Sequence, residues 1–176
     1  MRILGIDPGL THTGWGLVEY KNNTPRHIAN GTISTQPKQN MADRLAHIMQ
    51  ELQKVIAEFL PDTAAIEETF VNANPASALK LGQARGVAMM VPALKGISVY
   101  EYAPNLIKKS IVGKGHAKKD QVQMMLKILM PGTDFCSADS ADALAIAMCH
   151  AHHLPMIMQR ARLAQQQAKG VECLQN

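Results

Sequence analysis

Five acidic residues stand where the chain should be burying apolar side chains. Asp7 ends the apolar run ILGID and is followed directly by a proline and a glycine. Glu67 and Glu68 end a second apolar run, TAAIEE. Asp139 and Asp142 lie in SADSADALAIA, and on a helix this three-residue spacing would place both on one face. Only 14 of the 176 residues are acidic, so their position at the ends of apolar segments suggests a shared purpose.

Carboxylates that converge need either protons or a cation. Two like charges about 4 Å apart repel by roughly 4 kcal/mol at an effective dielectric constant near 20. Oxygen ligands alone favour hard divalent ions such as Mg²⁺ or Mn²⁺. A pair of such ions about 4 Å apart suits in-line displacement at phosphorus, because one activates water and the other stabilises the leaving oxygen. Metal-dependent phosphoryl chemistry is therefore the reaction expected if these side chains meet.

The same residues also have explanations without catalysis. Asp7 before Pro-Gly could be a turn residue. Asp139 could be a helix N-terminal charge that the helix dipole favours. Glu68 is expected to be the solvent-side neighbour of Glu67, because successive strand residues face opposite ways. Convergence in space is not readable from spacing and depends on the fold.

The elements that would position these residues follow from hydrophobic periodicity and turn signals. Five strands are predicted, over residues 1–7, 12–20, 26–34, 63–70 and 97–102. Helices are predicted over residues 41–60, 75–91, 119–130 and 137–153, and a lysine-rich connection over 108–119. The first three strands have short connections, as in an antiparallel meander. This order implies an α/β fold with a mixed sheet flanked by helices.

Composition indicates one globular domain. Hydrophobic residues make up 47% and charged residues 18%, and we expect a domain over 1–155 followed by a Gln/Arg-rich, disordered tail over 156–176. No apolar stretch reaches the roughly 18 residues of a membrane helix, and no secretion signal is recognisable. Three cysteines without CxxC spacing fit a reducing compartment, so a cytoplasmic protein is expected. The net charge of +4 favours a polyanionic partner.

Four segments, in this order and spacing, are more specific. GIDPGLTHTGWG, IEETF with SALKLGQARG, VGKGHAKKDQVQMM and ADSADALAIA closely resemble the RuvC family of Holliday junction resolvases, over about residues 2–153. The resemblance implies an RNase H-like fold with a five-stranded mixed sheet flanked by helices. It implies a homodimeric endonuclease that resolves four-way DNA junctions, in homologous recombination and DNA repair, by paired symmetric nicks that leave 5′-phosphate and 3′-hydroxyl ends.

The resemblance also implies cofactors, partners and site residues. One or two Mg²⁺ ions per subunit, replaceable by Mn²⁺, are expected, together with a branch-migration motor of the RuvA and RuvB type. The family's catalytic, metal-binding acidic quartet falls on Asp7, Glu67, Asp139 and Asp142. Basic residues near the scissile phosphate fall on Lys108 and Lys119, and an aromatic that meets a base near the junction falls on Phe70.

A basic segment lies between the fifth strand and the next predicted helix. Its five lysines, all expected to contact DNA, are Lys108, Lys109, Lys114, Lys118 and Lys119. No acidic residue interrupts them, and such a cluster binds phosphates without reading sequence. A solvated lysine loop is the alternative. The chain departs from the family's pattern at Ala73, where a basic residue is common, and at His116, where arginine is, although Lys118 could compensate.

Three further features leave alternatives open. Phe70 could stack on an unpaired base, a contact worth roughly 1–3 kcal/mol, or could cap the core of the sheet. Ala78, Gly82 and Gly86 form a small-residue stripe that permits close helix approach, inside the subunit or across a two-fold interface. Three histidines are expected to cap the C-terminus of the last helix rather than bind metal. They are His150, His152 and His153.

Two other functions are consistent with part of the sequence. GIDPGxxxTG also resembles the phosphate loop of sugar kinases and actin-like ATPases, which are generally over twice this length and carry a second phosphate loop and an adenosine motif. No such repeat is present here. A non-cutting DNA-binding module of the same fold is the other rival, and the intact acidic quartet counts against it.

Overall fold

The fold is a single mixed β-sheet with helices on both faces. The structure is a computed structural model that describes residues 1–68 and 74–172. The strands are β1 (Arg2–Asp7), β2 (His12–Lys21), β3 (Thr24–Ser34), β4 (Thr63–Glu67) and β5 (Ser98–Tyr102). The helices are α1 (Met41–Phe59), α2 (Pro75–Leu94), α3 (Pro104–Val112), α4 (Lys119–Leu129) and α5 (Ala138–Glu172). The predicted five-stranded mixed sheet flanked by helices is confirmed.

The strand order β3-β2-β1-β4-β5 brings the ends of β1 and β4 side by side. β1 pairs antiparallel with β2, and β2 with β3, which is the predicted meander. β4 runs parallel to β1 and to β5. Ile6 lies opposite Ile66 in the β1–β4 ladder, so Asp7 and Glu67 follow at the same edge of the sheet.

Strand alternation divides the buried residues between two cores. Leu4 and Ile6 of β1 pack with α1 and α2 on one face of the sheet. Ile3 of β1 and Ala65 of β4 pack on the other face, with α3, α4 and α5. Because strand side chains alternate, Asp7 shares the face of Ile3 and lies on the side of α3, α4 and α5.

Glycines in β1 and β2 allow α5 to lie directly on the strand backbone. A Cβ atom added at Gly5 would lie closer than 3.0 Å to backbone atoms of Ala143 and Ala147. One added at Gly14 would lie equally close to the backbone of Asp139. Real Cβ atoms essentially never make such contacts. The absence of side chains at these two positions therefore sets how closely the acidic first turns of α5 approach β1.

The start of α5 is fixed by side-chain hydrogen bonds. Ser137 Oγ accepts from the backbone N–H of Ser140 at 3.0 Å, and Ser140 Oγ accepts from that of Ser137 at 2.9 Å. This reciprocal arrangement satisfies helix N-terminal donors as a capping box does. The Ser137 hydroxyl also lies 2.5 Å from that of Thr32, and Asn30 Oδ1 accepts from the N–H of Cys136 at 2.9 Å. Strand β3 thus anchors the helix that carries Asp139 and Asp142.

The predicted connection over 108–119 is wrong in its first part, because Pro104–Val112 form α3. Proline at the first helical position suits a helix start, since its missing N–H would have no partner there. Ile107 and Ile111, four residues apart, are both buried in the core. The lysines in this stretch obscured the apolar spacing of a short amphipathic helix.

The last helix is also longer than predicted. It does not end near His153 but continues through Pro155 to Glu172, over residues rich in the good helix formers Ala, Gln, Met and Arg. His150 consequently lies inside the helix and is fully buried, so its assignment as a C-terminal cap is wrong. The division into a domain over 1–155 and a tail over 156–176 stays a prediction. Within the described ranges, no helix has both the length and the apolar character needed to cross a membrane.

Gly5→Ala tests whether close approach of α5 depends on the missing side chain. The added methyl would press on backbone atoms that cannot move aside, and overpacking of this kind destabilises by about 1–3 kcal/mol. Urea unfolding should show this loss. The comparison is Gly5→Val, whose larger side chain should destabilise the protein more than the methyl does, although valine is the better strand former. Equal effects of the two substitutions would contradict the packing explanation.

Candidate active site

A polar cleft lies where the ends of β1 and β4 meet α3, α4 and α5. It has a volume of about 320 Å³. Its polar lining consists of Asp7, Glu67, Lys108, Lys119 and Asp142. Apolar side chains of the three helices complete the wall, among them Ile107, Val122 and Ile146. Five residues singled out from the sequence therefore share one cavity.

Adjacent parallel strands supply two of the carboxylates. Asp7 ends β1 and Glu67 ends β4, each one residue beyond the paired Ile6 and Ile66. Arg85 of α2 fixes the end of β4, because its Nε donates to the backbone carbonyl of Glu67 at 3.1 Å. The same guanidinium pairs with Glu101 of β5. Sequence reasoning missed Arg85, which lies 18 residues from Glu67 and shares no local pattern with it.

Glu68 is separated from the cleft, as expected. Its side chain is exposed, and its backbone N–H donates to the carbonyl of Tyr102 at 2.9 Å. Only Glu67 of this pair lines the cavity.

Helix α5 supplies the remaining two carboxylates. Asp142 lines the cavity and accepts a hydrogen bond at 2.6 Å from the Nζ of Lys119, at the start of α4. Asp139, one turn earlier, does not line the cavity, but its charge acts on Asp7. Three of the four predicted carboxylates thus face one space, and the fourth lies within electrostatic range.

The proton affinities of the acidic groups record this crowding. Burial, followed by the charges of Asp142, Glu67 and Asp139, raises the pKa of Asp7 from 3.8 to about 7, against the opposing charge of Lys119. Burial and the charge of Asp142 also raise the pKa of Glu67. The hydrogen bond to Asp142 raises the pKa of Lys119. Without a further cation, the cleft therefore resists full ionisation near neutral pH.

The donor set fits a hard divalent ion. All candidate ligands are carboxylates, the ligand type that Mg²⁺ and Mn²⁺ prefer. In their present positions, no three acidic, histidine or cysteine side chains of the described ranges form a ready-made ion site, and Asp142 is paired with Lys119. Ion binding therefore requires these side chains to reorient. The Lys119–Asp142 pair was not predictable from spacing, because it joins two helices.

The remaining predicted residues lie outside the cleft or outside the described ranges. Lys109, Lys114 and Lys118 are exposed. Lys114 and His116 line a separate cavity of about 480 Å³ between the end of α3 and α4. Phe70 and Ala73 fall outside the described residues.

The pKa of Asp7 predicts how stability depends on pH. The folded protein retains this proton between about pH 4 and 7, where the unfolded chain, with a pKa of 3.8, has lost it. The stability that protonated Asp7 provides is fully present below pH 4 and is lost as the pH rises through 7. With metal removed by EDTA, Asp7→Asn should therefore be more stable than the wild type at pH 8. The expected gain in unfolding free energy is about 1–2 kcal/mol, a reduced figure because solvent screens part of the interaction. This gain should shrink towards pH 4.

Urea unfolding between pH 4 and pH 9 measures this difference. Glu68→Gln, which removes an exposed carboxylate outside the cleft, is the control and should leave the pH profile unchanged. A gain for Asp7→Asn that does not vary with pH would show that Asp7 is not held protonated by its neighbours.

Known sequences match this chain over most of its length. The family model for crossover junction endodeoxyribonuclease RuvC matches residues 3–150. RuvC of Paramagnetospirillum magneticum is 56% identical over 153 residues, covering 87% of this chain and 92% of the relative. RuvC of Brucella anthropi is 50% identical over 165 residues, covering 94% and 96%. The similarity therefore includes every strand and helix around the cleft.

Solved structures give the same result. Thermus thermophilus RuvC, in a structure titled as a complex with Holliday junction substrate, matches with a TM-score of 0.83 at 32% identity, over 89% of this chain and 96% of that chain. The yeast mitochondrial Holliday junction resolvase Ydc2 matches with a TM-score of 0.67 at 12% identity, over 93% and 83%, and shares the fold. With its RNase H-like sheet and a family match over most of its length, this chain belongs to the RuvC family.

Proposed function

We propose that this chain is an endonuclease that resolves four-way DNA junctions, in homologous recombination and DNA repair. The observation that carries the proposal is the cleft in which Asp7, Glu67 and Asp142 face two lysines at the end of the sheet. Its family relatives named crossover junction endodeoxyribonucleases support it. The reaction is hydrolysis of one phosphodiester in each of two strands, leaving 5′-phosphate and 3′-hydroxyl ends.

The acidic residues would hold one or two Mg²⁺ ions, or Mn²⁺, through Asp7, Glu67, Asp142 and Asp139. Such ions activate water and neutralise charge during in-line displacement at phosphorus. The raised pKa of Asp7 supports this role, because a crowded carboxylate group gains most from an added cation.

The two lysines of the cleft act on the phosphate. Lys108 faces the cavity from α3 and Lys119 from α4. Asp142 would be a ligand of the ion, and the ammonium of Lys119, its present partner, would then be able to donate to a phosphate oxygen, where charge develops in the transition state. The apolar wall formed by Ile107, Val122 and Ile146 limits water around these charges and strengthens their interactions.

A basic surface beside the cleft supports binding of the junction arms. Lys109, Lys114 and Lys118 are exposed on α3, on the following turn and at the start of α4. Contacts of this kind bind the phosphate backbone independently of base sequence. Phe70 would contact a base at the junction centre.

Paired nicks require two active sites, and we propose that a homodimer supplies them. On α2, Leu79 and Met90 are 66% and 44% exposed, and nothing lies within 4 Å of Cβ positions at Gly82 and Gly86. These four residues recur at three- and four-residue steps and share one helix face. Gly82 and Gly86 of the small-residue stripe therefore pack against no element of their own subunit in the described ranges, which supports contact with a second copy.

A branch-migration motor of the RuvA and RuvB type is the proposed protein partner, on the basis of family membership. A chromosomal substrate would place the protein in the cytoplasm. The kinase and ATPase alternative is not favoured, because the chain lacks the repeat that a second phosphate loop would give.

Removal of single carboxylates tests the metal-dependent nuclease. The wild type should nick a synthetic four-way junction only when Mg²⁺ or Mn²⁺ is added. Asp7→Asn and Glu67→Gln should lower the rate at least about a thousandfold, since loss of several kcal/mol of metal-ion stabilisation has this effect. Both variants should still bind the junction in a gel-shift assay.

Glu68→Gln is the matched control, because it changes the neighbouring exposed carboxylate and should cleave like the wild type. If Glu68→Gln were inactive and Glu67→Gln active, the assignment of strand faces would be wrong. ATP turnover without junction cleavage would instead favour the kinase and ATPase class.

Charge placed on the exposed face of α2 tests the homodimer. The double variant Leu79→Glu, Met90→Glu should convert the dimer to a monomer in analytical ultracentrifugation at micromolar concentration, because four like charges would meet across the two-fold axis. Met124→Glu on α4 changes a side chain that is 67% exposed and should leave the dimer intact. A dimer that survives the double substitution would place the interface elsewhere.

A further inference from the structure

A buried histidine links α5 to β4 and β5. His150 is fully buried, and both of its ring nitrogens have partners. Nδ1 lies 2.7 Å from the hydroxyl of Tyr102 on β5, and Nε2 lies 3.2 Å from the hydroxyl of Thr63 on β4. The ring also packs on that of Tyr100, with centroids 4.5 Å apart. The reaction proposed above uses none of these residues.

The hydrogen-bond partners define where the protons lie. The hydroxyl of Thr63 donates to the backbone carbonyl of Ser98 at 3.2 Å, so towards His150 it can only accept. Nε2 of His150 therefore carries the proton, and Nδ1 accepts from the hydroxyl of Tyr102. The imidazole is neutral in this arrangement, and burial correspondingly lowers the pKa of His150 to about 4. This arrangement gives every polar atom of the network a partner.

The network joins the two sides of the cleft. His150 lies eight residues after Asp142 on α5, about 12 Å along the helix. Tyr102 is the last residue of β5, pairs with Glu67 of β4 and stands two residues before the start of α3, which carries Lys108. The Tyr102–His150 hydrogen bond thus connects the helix that bears Asp142 to the segment that bears Lys108.

Contact with β1 and β2 does not by itself define how α5 lies against β5 and α3. The buried face of α5 near Asp142 includes Ala143 and Ala145 beside the larger Leu144 and Ile146, and glycines of β1 and β2 lie beneath it. Towards β5 and α3, apolar burial favours close packing but no single orientation, because the hydrophobic effect is non-directional. A satisfied buried polar network favours one arrangement over others.

We propose that the Thr63–His150–Tyr102 network is a positioning device that sets α5 against β5 and α3, and thereby places Asp142 relative to Lys108 and Glu67. The three residues touch neither DNA nor ion and act through the residues of the cleft. This inference rests on the proposed nuclease function for its consequence in catalysis, although the positioning itself is a property of the free protein.

Tyr102→Phe and Tyr100→Phe form the central comparison. Both remove one hydroxyl from the same strand, but only Tyr102 uses its hydroxyl to bind His150, whereas Tyr100 contacts that ring through its own ring. Under single-turnover conditions with saturating protein, Tyr102→Phe should cleave a four-way junction at least about tenfold more slowly, since a misplacement near 1 Å can cost 10²-fold. Its Kd for the junction should change by less than about twofold. Tyr100→Phe should match the wild type in both.

Two measurements report on positioning without cleavage. Isothermal titration with Mn²⁺ should show affinity weakened several-fold in Tyr102→Phe and unchanged in Tyr100→Phe. Amide hydrogen exchange should become faster for residues 138–150 in Tyr102→Phe alone, in buffer without metal. A second pair, Thr63→Val and Thr63→Ser, should repeat the pattern, because serine keeps the hydroxyl and valine does not; this pair replaces the first if Tyr102→Phe does not fold.

Cleavage at the wild-type rate by a folded Tyr102→Phe, or equal exchange in the two tyrosine variants, would overturn the inference. Lower thermal stability with unchanged rate and Mn²⁺ affinity would overturn it too, because the network would then be only a structural bond. A wild type that cuts no junction would refute the proposed function, while exchange in residues 138–150 would still decide whether the network positions α5.

Discussion

The arrangement of the cleft depends on direct backbone contact between α5 and the β1–β2 hairpin. Most helices rest on a sheet through a layer of side chains, whose rotamers can absorb small displacements. Here Gly5 and Gly14 remove that layer, so the position of the helix is set by hard contacts between main chains. Asp139 and Asp142 are consequently held near Asp7 by the rigid contact of α5 with β1 and β2. A site that requires tight geometry needs this kind of support.

This contact concentrates negative charge at a point where burial already disfavours it. The raised pKa values of Asp7 and Glu67 record an unfavourable interaction that folding must overcome. Lys119 offsets part of it through its ion pair with Asp142. The site therefore reduces the stability of the free protein, and this is the expected signature of side chains selected for binding a cation rather than for holding the fold together.

Local patterns in the sequence were sufficient for those parts of the site that depend on one element at a time. Asp7 and Glu67 are recognisable as polar ends of apolar strands, and the spacing of Asp139 and Asp142 places both in the first turns of one helix. The predicted order of elements implied a mixed sheet but did not specify that β1 and β4 pair in parallel. This pairing is what makes Asp7 and Glu67 neighbours. Strand and helix boundaries were accurate where apolar periodicity was strong. They failed at α3, where lysines obscured two buried isoleucines, and at the end of α5, which continues past Pro155.

Local sequence patterns could not predict contacts between elements that are distant along the chain. Lys119 meets Asp142 across two helices, Arg85 reaches the backbone of Glu67 from α2, and His150 is held by Tyr102 of β5. None of these pairs has a characteristic spacing, since each distance along the chain is set by the length of intervening elements. A lysine in a basic segment reads as a phosphate contact, and a histidine near a helix end reads as a cap, until the fold shows what surrounds it.

In the proposed reaction, the Lys119–Asp142 pair gives the cleft two distinct charge states. In the free protein the ammonium neutralises the carboxylate that an ion would occupy, so the acidic group is tolerated without metal. With Asp142 as a ligand of an ion, the ammonium of Lys119 would lack its present partner and would be available to a phosphate beside Lys108. Metal and DNA would therefore each favour binding of the other. The ion would free Lys119 for the phosphate, and the phosphate would give the displaced ammonium of Lys119 a new anionic partner.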